Sequence, residues 1–349
     1  MNEFSLEILF NMQSLSNLLL RNISSNLIFT PEVLMAASGQ IFKEAIDFQM
    51  IHELFQQVLV IFASEPQVLQ LSVPTTIIGS ISGSIFDLLQ FERTFFPAQY
   101  HITSNLLFLG NYTSQLFEYP LETLVYLFAL KCQLPNHVFL LRGVNEMKTN
   151  NFLMTQLVSQ YGNSRSTILF QQLFQIFEFL PYAAIINDKI FAVHSGIPVL
   201  KRPLLELLKS TTATAVAKDE ILSQMIYNVP SQFIPKDSKA MASNNAMVGF
   251  QQRFEKDTPG YFYNHRATFR FLKQNGFERI IRSCNPCRDG FATMFQNGVV
   301  TVSSASIRST EFIAQHVGVI KLDSSKFKHK ILIMRVEALS QKVAATPAQ

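Results

Sequence analysis

Histidine, cysteine, serine and asparagine side chains that could do chemistry recur in short glycine-bearing segments of this 349-residue chain. The segments are Gly79-Ser80-Ile81-Ser82-Gly83, Gly110-Asn111-Tyr112-Thr113-Ser114-Gln115, Arg142-Gly143-Val144-Asn145-Glu146, His194-Ser195-Gly196 and Arg282-Ser283-Cys284-Asn285. Each follows a short apolar run, and in α/β sheets sites form in the loops at the carboxyl ends of strands. The segments are therefore expected on one rim. Taken singly, their chemistry is weak. Ser80, Ser82 and Ser195 have no evident histidine–carboxylate partner to make one of them a nucleophile. Cys284-Asn285-Pro286-Cys287 has CxxC spacing but no second pair to complete a zinc site, and Pro286 serves a turn equally well. Arg142 and Glu146 read as scaffold groups that pair with each other or with backbone.

The elements that must position these residues follow from periodicity. Residues 3 to 63 read as helical: Phe4, Ile8, Met12, Leu15 and Leu19 fall on one helical face. Thr30-Pro31-Glu32 makes a helix start, and 41 to 62 is a further amphipathic stretch. The pattern then changes to apolar strands alternating with helices. Strands are expected at 75–78, 106–109, 138–141, 183–186, 190–194, 279–282 and 299–303, with helices at 85–91 and 121–131. Strand-like segments at 312–322 and 330–335 close the fold, and 342–349 reads as a frayed tail. Such alternation predicts βαβ units and a mixed or parallel sheet. Phe170, Phe174, Phe177 and Phe179 stand at near-helical spacing and are expected in the core.

In order and spacing, the five segments resemble GDxHG, GDxVDRG, RGNHE, HGG and RAHE of the phosphoprotein phosphatases, the serine/threonine phosphatases of the type-1, type-2A and calcineurin group. The resemblance covers roughly 50 to 335. Asp257 to Leu272 resembles the segment that carries a phosphate-binding arginine, and Val299 to Ala305 the strand ending in SAPNY. The glycines and strands match. Most acids, histidines and arginines do not.

The resemblance implies an α/β fold, a metallophosphoesterase-type sandwich of two mixed β-sheets flanked by helices, with an N-terminal helical extension. The expected division is 1–50 extension, 51–338 phosphatase-like domain and 339–349 tail. In the family, two divalent metals activate a water for attack on phosphorus. The six ligand positions correspond here to Ser80, Ser82, Asn111, Val144, His194 and Cys284, of which His194 alone keeps the family residue. The general acid is replaced by Asn145, its orienting aspartate by Ser114, and the phosphate-clamping arginines by Gln115 and Asp257. With its partners replaced, His194 is expected to be a hydrogen-bonded buried histidine. His194 and Cys284 match positions that ligate one metal, so together with Cys287 they form a weak candidate zinc set.

Composition bounds the rest. With 48% hydrophobic and 15% charged residues, the chain has material for a sizeable core. A diffuse net charge of +4 gives no nucleic-acid footprint, and Lys326-Phe327-Lys328-His329-Lys330 alternates as an edge strand does. The N-terminus lacks the pattern of a signal peptide, three cysteines do not make a disulfide framework, and no apolar run reaches membrane-spanning length. The expectation is a cytoplasmic or nuclear protein phosphatase homologue that has lost most catalytic residues and acts by binding proteins, such as phosphatase regulatory subunits. It is expected to need no cofactor and to bind neither nucleic acid nor membrane. Two alternatives remain open: a divergent active phosphatase holding two metals of the manganese, iron or zinc type, and a small Cys/His zinc-binding structural protein.

Overall fold

The computed structural model describes residues 46–95, 104–147 without 115 and 118, 151–209, 215–233, 249–253, 259–307, 313–322 and 329–335, together with Leu20. The helix start at Pro31, most of the N-terminal extension and the tail therefore lie outside the described residues.

The first long element is α1, Phe48–Ala63, capped by the Asp47 side chain on the Met50 amide at 2.9 Å. Strands β1 (Val68–Leu71) and β2 (Thr75–Ile78) lead to α2 (Ile85–Phe95). The chain continues through β3 (Asn105–Phe108), α3 (Pro120–Gln133), β4 (Val138–Leu140), α4 (Asn151–Tyr161) and α5 (Asn163–Phe179). Next come β5 (Ala183–Ile186), β6 (Ile190–Val193), α6 (Leu204–Lys209) and α7 (Ala215–Tyr227), then short strands β7 (Val229–Pro230), β8 (Phe250–Gln252) and β9 (Tyr261–Tyr263). Helix α8 (His265–Asn275) precedes β10 (Arg279–Arg282), β11 (Phe291–Met294), β12 (Val299–Val302), β13 (His316–Leu322) and β14 (His329–Arg335).

Two mixed sheets carry the fold. One has six strands in the order β1-β5-β6-β10-β12-β11, the other five in the order β14-β13-β2-β3-β4. Between them, Leu69, Ala184, Ala192, Ile281 and Val300 of the first sheet meet Ile77, Leu107 and Ile320 of the second in one apolar cluster. Both faces of most strands are apolar because helices cover the outside as well. Helices α1 to α5 cover the five-stranded sheet, and α6 to α8 with the three-stranded β7-β9-β8 sheet cover the six-stranded one.

One sequence expectation needs correction. Phe170 and Phe174 are half-buried and Phe177 is buried, but Phe179 is 48% exposed. It stands two residues beyond Phe177, which turns it about 200° around the helix from the core-facing stripe.

Candidate functional site

Strands β2, β3, β4, β6 and β10 each end where one of the five segments begins. The parallel pairings β2–β3, β3–β4 and β6–β10 set these ends side by side, and the loops bond to one another. The Ser82 amide donates to the Asn111 carbonyl at 2.8 Å, and the Ser283 amide donates to the His194 carbonyl at 2.9 Å. The two sheets are tied at the same rim. The amide of Ser80 donates to the Ser283 hydroxyl oxygen at 2.7 Å, while that of Gly79 donates to Ser304 at 2.7 Å.

Ser283 organises one side of the pocket. Its hydroxyl donates to the Val302 carbonyl at 2.8 Å, which uses its single proton. The Ser80 hydroxyl, 2.9 Å away, must then donate to it. Both are buried, so Ser80 is occupied by scaffold bonding.

Glu146 organises the other side. Its carboxylate is fully buried and accepts three backbone amides, those of Asn111, Tyr112 and Gly143, each at 2.9 Å. Burial raises its pKa, opposed by these bonds and by nearby His194. Arg142 does not pair with that carboxylate. Its guanidinium donates to the Tyr182 hydroxyl at 2.9 Å and to the Glu146 carbonyl at 3.5 Å, stacked 5.6 Å from the Tyr182 ring.

The Asn111 side-chain oxygen accepts the Asn145 amide at 3.0 Å, and the Asn145 side chain donates to the Thr113 carbonyl. Asn111 has φ +57°, a left-handed conformation that asparagine tolerates better than most residues. Val144 is half-buried and presents an aliphatic side chain, and the Ser114 hydroxyl accepts the Leu116 amide at 3.1 Å. Gln115 and Asp257 lie outside the described residues.

His194 is fully buried at the end of β6. Its Nδ1 faces the Leu109 carbonyl at 2.6 Å, and since a carbonyl only accepts, that nitrogen is the donor. Among the described residues, no nitrogen or oxygen bonds to Nε2. Cys284, half-buried at φ +73°, is its neighbour. Burial alone would raise the Cys284 thiol, but His194 beside it, helped by Arg282 and Ser195, outweighs burial and brings it down to about 6. Arg282 is fully buried and bridges segments, donating to the Ser195 carbonyl, to Thr301 Oγ1 at 3.0 Å and to Asn285 Oδ1 at 2.8 Å. The Cys287 thiol faces the Asn285 carbonyl at 3.7 Å, and burial pushes it up to about 11. Among the described residues, no three His, Cys, Asp or Glu side chains converge to hold a metal.

The structure thus brings Ser80, Ser82, Asn111, Asn145, His194 and Cys284 into one constellation. Sequence reasoning gave no role to the residues that tie it together: Ser283, Ser304, Tyr182 and Thr301. Serine at the ends of β10 and β12 was visible as a residue type, but long-range hydrogen bonding leaves no periodic signal.

A family model, described as calcineurin-like phosphoesterase, matches residues 74–283, well over half the chain, and the chain belongs to that family. Within it, the relatives are serine/threonine phosphatases of the phosphoprotein phosphatase group. A protein phosphatase 2A catalytic subunit from Dictyostelium discoideum is 27% identical over 259 residues, covering 73% of this chain and 76% of its own. The serine/threonine-protein phosphatase 4 catalytic subunit of Kluyveromyces lactis is 27% identical over 265 residues, 74% of this chain and 78% of its own. Among solved structures, a Saccharomyces cerevisiae protein serine/threonine phosphatase with similarity to human phosphatase PP5 superposes with TM-score 0.66 at 18% identity, covering 88% of this chain and 97% of that one. That likeness bears on the fold.

At the positions that the resemblance assigns to the family's two metals, the side chains present do not fit that pair of ions. Hard divalent cations take charged oxygens and imidazoles. The six corresponding positions offer two hydroxyls, an amide, an aliphatic chain, an imidazole and a thiol.

Proposed function

We propose that this chain is a pseudophosphatase: a serine/threonine phosphatase homologue that keeps the sandwich and acts by binding proteins, without hydrolysing phosphate. The observation that carries this reading is that the groups at the catalytic positions are bonded to one another and to backbone. Ser80 donates to Ser283, Asn111 accepts from Asn145, and Asn145 donates to Thr113. A metal-bridging position needs an anion, and Asn111 is neutral. Asn145 cannot transfer a proton to a leaving group, and a general acid ordinarily contributes about a hundredfold or more. Protein partners of the kind that phosphatase catalytic subunits take up are the natural targets, in cytoplasm or nucleus. No helix among the described residues is long and apolar enough to cross a membrane.

The test is purified protein assayed on an aryl phosphate with manganese or magnesium, beside metal analysis. The expected result is background turnover and no stoichiometric metal. Metal-dependent hydrolysis that vanishes in His194→Ala would establish the second reading, a divergent phosphatase. One observation favours that reading: His194 keeps the family residue, and no nitrogen or oxygen of the described residues bonds to its buried Nε2. For the zinc reading only His194 and Cys284 are neighbours, while the Cys287 thiol is engaged with the Asn285 carbonyl.

A further inference from the structure

We propose that the groove between α8 and the loop following β6 is a docking site for a linear peptide that carries an apolar side chain flanked by aspartate or glutamate. It stands whether or not the rim pocket turns over phosphate.

The floor and walls are apolar: Pro198, Leu200, Phe250, Ala267 and Phe271 line the groove. Its volume of about 240 Å³ falls below the roughly 300–1,000 Å³ of small-molecule sites. One or two anchoring side chains suit it better than a whole ligand.

The rim is basic. Lys201 on the loop and Arg270 on α8 line the opening, both exposed, and no acid lies among the lining residues. Helix α8 contains His265, Arg266, Arg270 and Lys273 and no Asp or Glu. Arg266, Arg270 and Lys273 stand at i, i+4 and i+7, one stripe beside the groove-lining positions 267, 270, 271 and 274. Among the described residues, Lys201, Arg266, Arg270 and Lys273 enter no ion pair, whereas nearby Arg202 pairs with Glu206 and Lys189 with Glu278. Among the described residues, the positive charge at the opening is therefore not neutralised. An acidic partner supplies the missing sign, and the apolar floor favours a peptide over a phosphate backbone, which has no side chain to bury.

The walls are fixed before any partner arrives. The Val199 amide donates to Gln224 Oε1 at 2.7 Å, and Asn228 holds the Ile197 carbonyl at 2.7 Å. Asn264 caps α8, and Phe271 packs on Phe191 at 5.0 Å and Phe277 at 5.9 Å between ring centroids. A preformed groove spares a partner the cost of ordering it.

The test is fluorescence anisotropy of the full chain with a labelled twelve-residue peptide bearing Leu-Phe between glutamate pairs. Expected is saturable binding that weakens about tenfold in Lys201→Glu and in Arg270→Glu, with melting midpoints unchanged. A peptide with lysine in place of glutamate should bind Arg270→Glu better than the wild type. Gln274→Trp, which fills the groove from the half-buried edge of α8, should block both. Equal binding of a glutamine version of the peptide would overturn the proposal, as would indifference to the charge reversals. So would Arg270-dependent binding of a labelled oligouridylate without binding of the peptide, or a dimer in sedimentation that Arg270→Glu dissociates.

Discussion

Asn111 is the residue at which chemistry and stability conflict most directly. Its backbone amide already donates to the buried Glu146 carboxylate, and its side-chain oxygen accepts from Asn145. Asn111→Asp would keep the acceptor but add a second negative charge beside Glu146, without a metal to neutralise either. Because Asn111 is half-buried, the expected loss is about 1–2 kcal/mol in chelator, read as a lower melting midpoint, with no gain in phosphatase turnover. A raised midpoint would show a more cationic pocket than this one. Cys284 gives a second residue-level outcome. At pH 7 its thiol, at about 6, is mostly thiolate, while burial holds Cys132 at about 12 and Cys287 at about 11. Iodoacetamide on the native protein should therefore label Cys284 first, with a rate that falls as pH drops through about 6. His194→Ala should slow it at pH 7. Peptide mapping decides this, and comparable labelling of Cys287 would contradict it.

At the level of elements, the rim depends on loops that touch through backbone. Gly110 has φ +90°, and a Cβ there would lie 2.7 Å from the Gly143 backbone, so the loops after β3 and β4 interlock only without side chains. Gly110→Ala should cost roughly 2–4 kcal/mol. Gly276→Ala, at φ +72° with nothing within 4 Å of its Cβ, tests conformation alone and should cost about 1 kcal/mol. Equal losses in urea melts would refute the interlock. The strands were legible: Ala183–Ile186 is short, apolar and bounded, Arg279–Arg282 has Ile280-Ile281 at its centre, and both are strands with those limits. Helix ends were less so: α2, expected to stop at Phe91, runs through the polar Glu92-Arg93-Thr94 to Phe95. The convergence of five segments was legible from their place after strands. What Glu146 and Arg142 do was not: both read only as scaffold, and the choice between backbone amides and Tyr182 depends on tertiary placement.

At the scale of the molecule, three apolar layers must hold together, and the outer helical layer is fastened to the five-stranded sheet by one buried charge. Phe55 and Phe62 of α1 pack on Phe128 of α3 with ring centroids 5.7 and 6.1 Å apart. Beside them Lys131 of α3, fully buried, reaches Glu65 just after α1 and donates to the carbonyls of Pro135 at 2.9 Å and Val138 at 2.6 Å. Burial pushes Glu65 up and Lys131 down, each partly held by the other's charge. The ammonium thus joins the end of α1, the α3–β4 turn and the start of β4. Lys131→Met leaves two carbonyls and a carboxylate without their donor and should cost about 3–5 kcal/mol. Glu65→Gln keeps an acceptor for a lysine that still holds both carbonyls, and should cost about 1–3 kcal/mol. Because each single change leaves the other charge uncompensated, the double variant should lose less than the sum, with a coupling of roughly 1–3 kcal/mol in denaturant melts. Strict additivity would mean that the ion pair contributes nothing and that Phe128 and its neighbours alone hold the helical layer to the sheet.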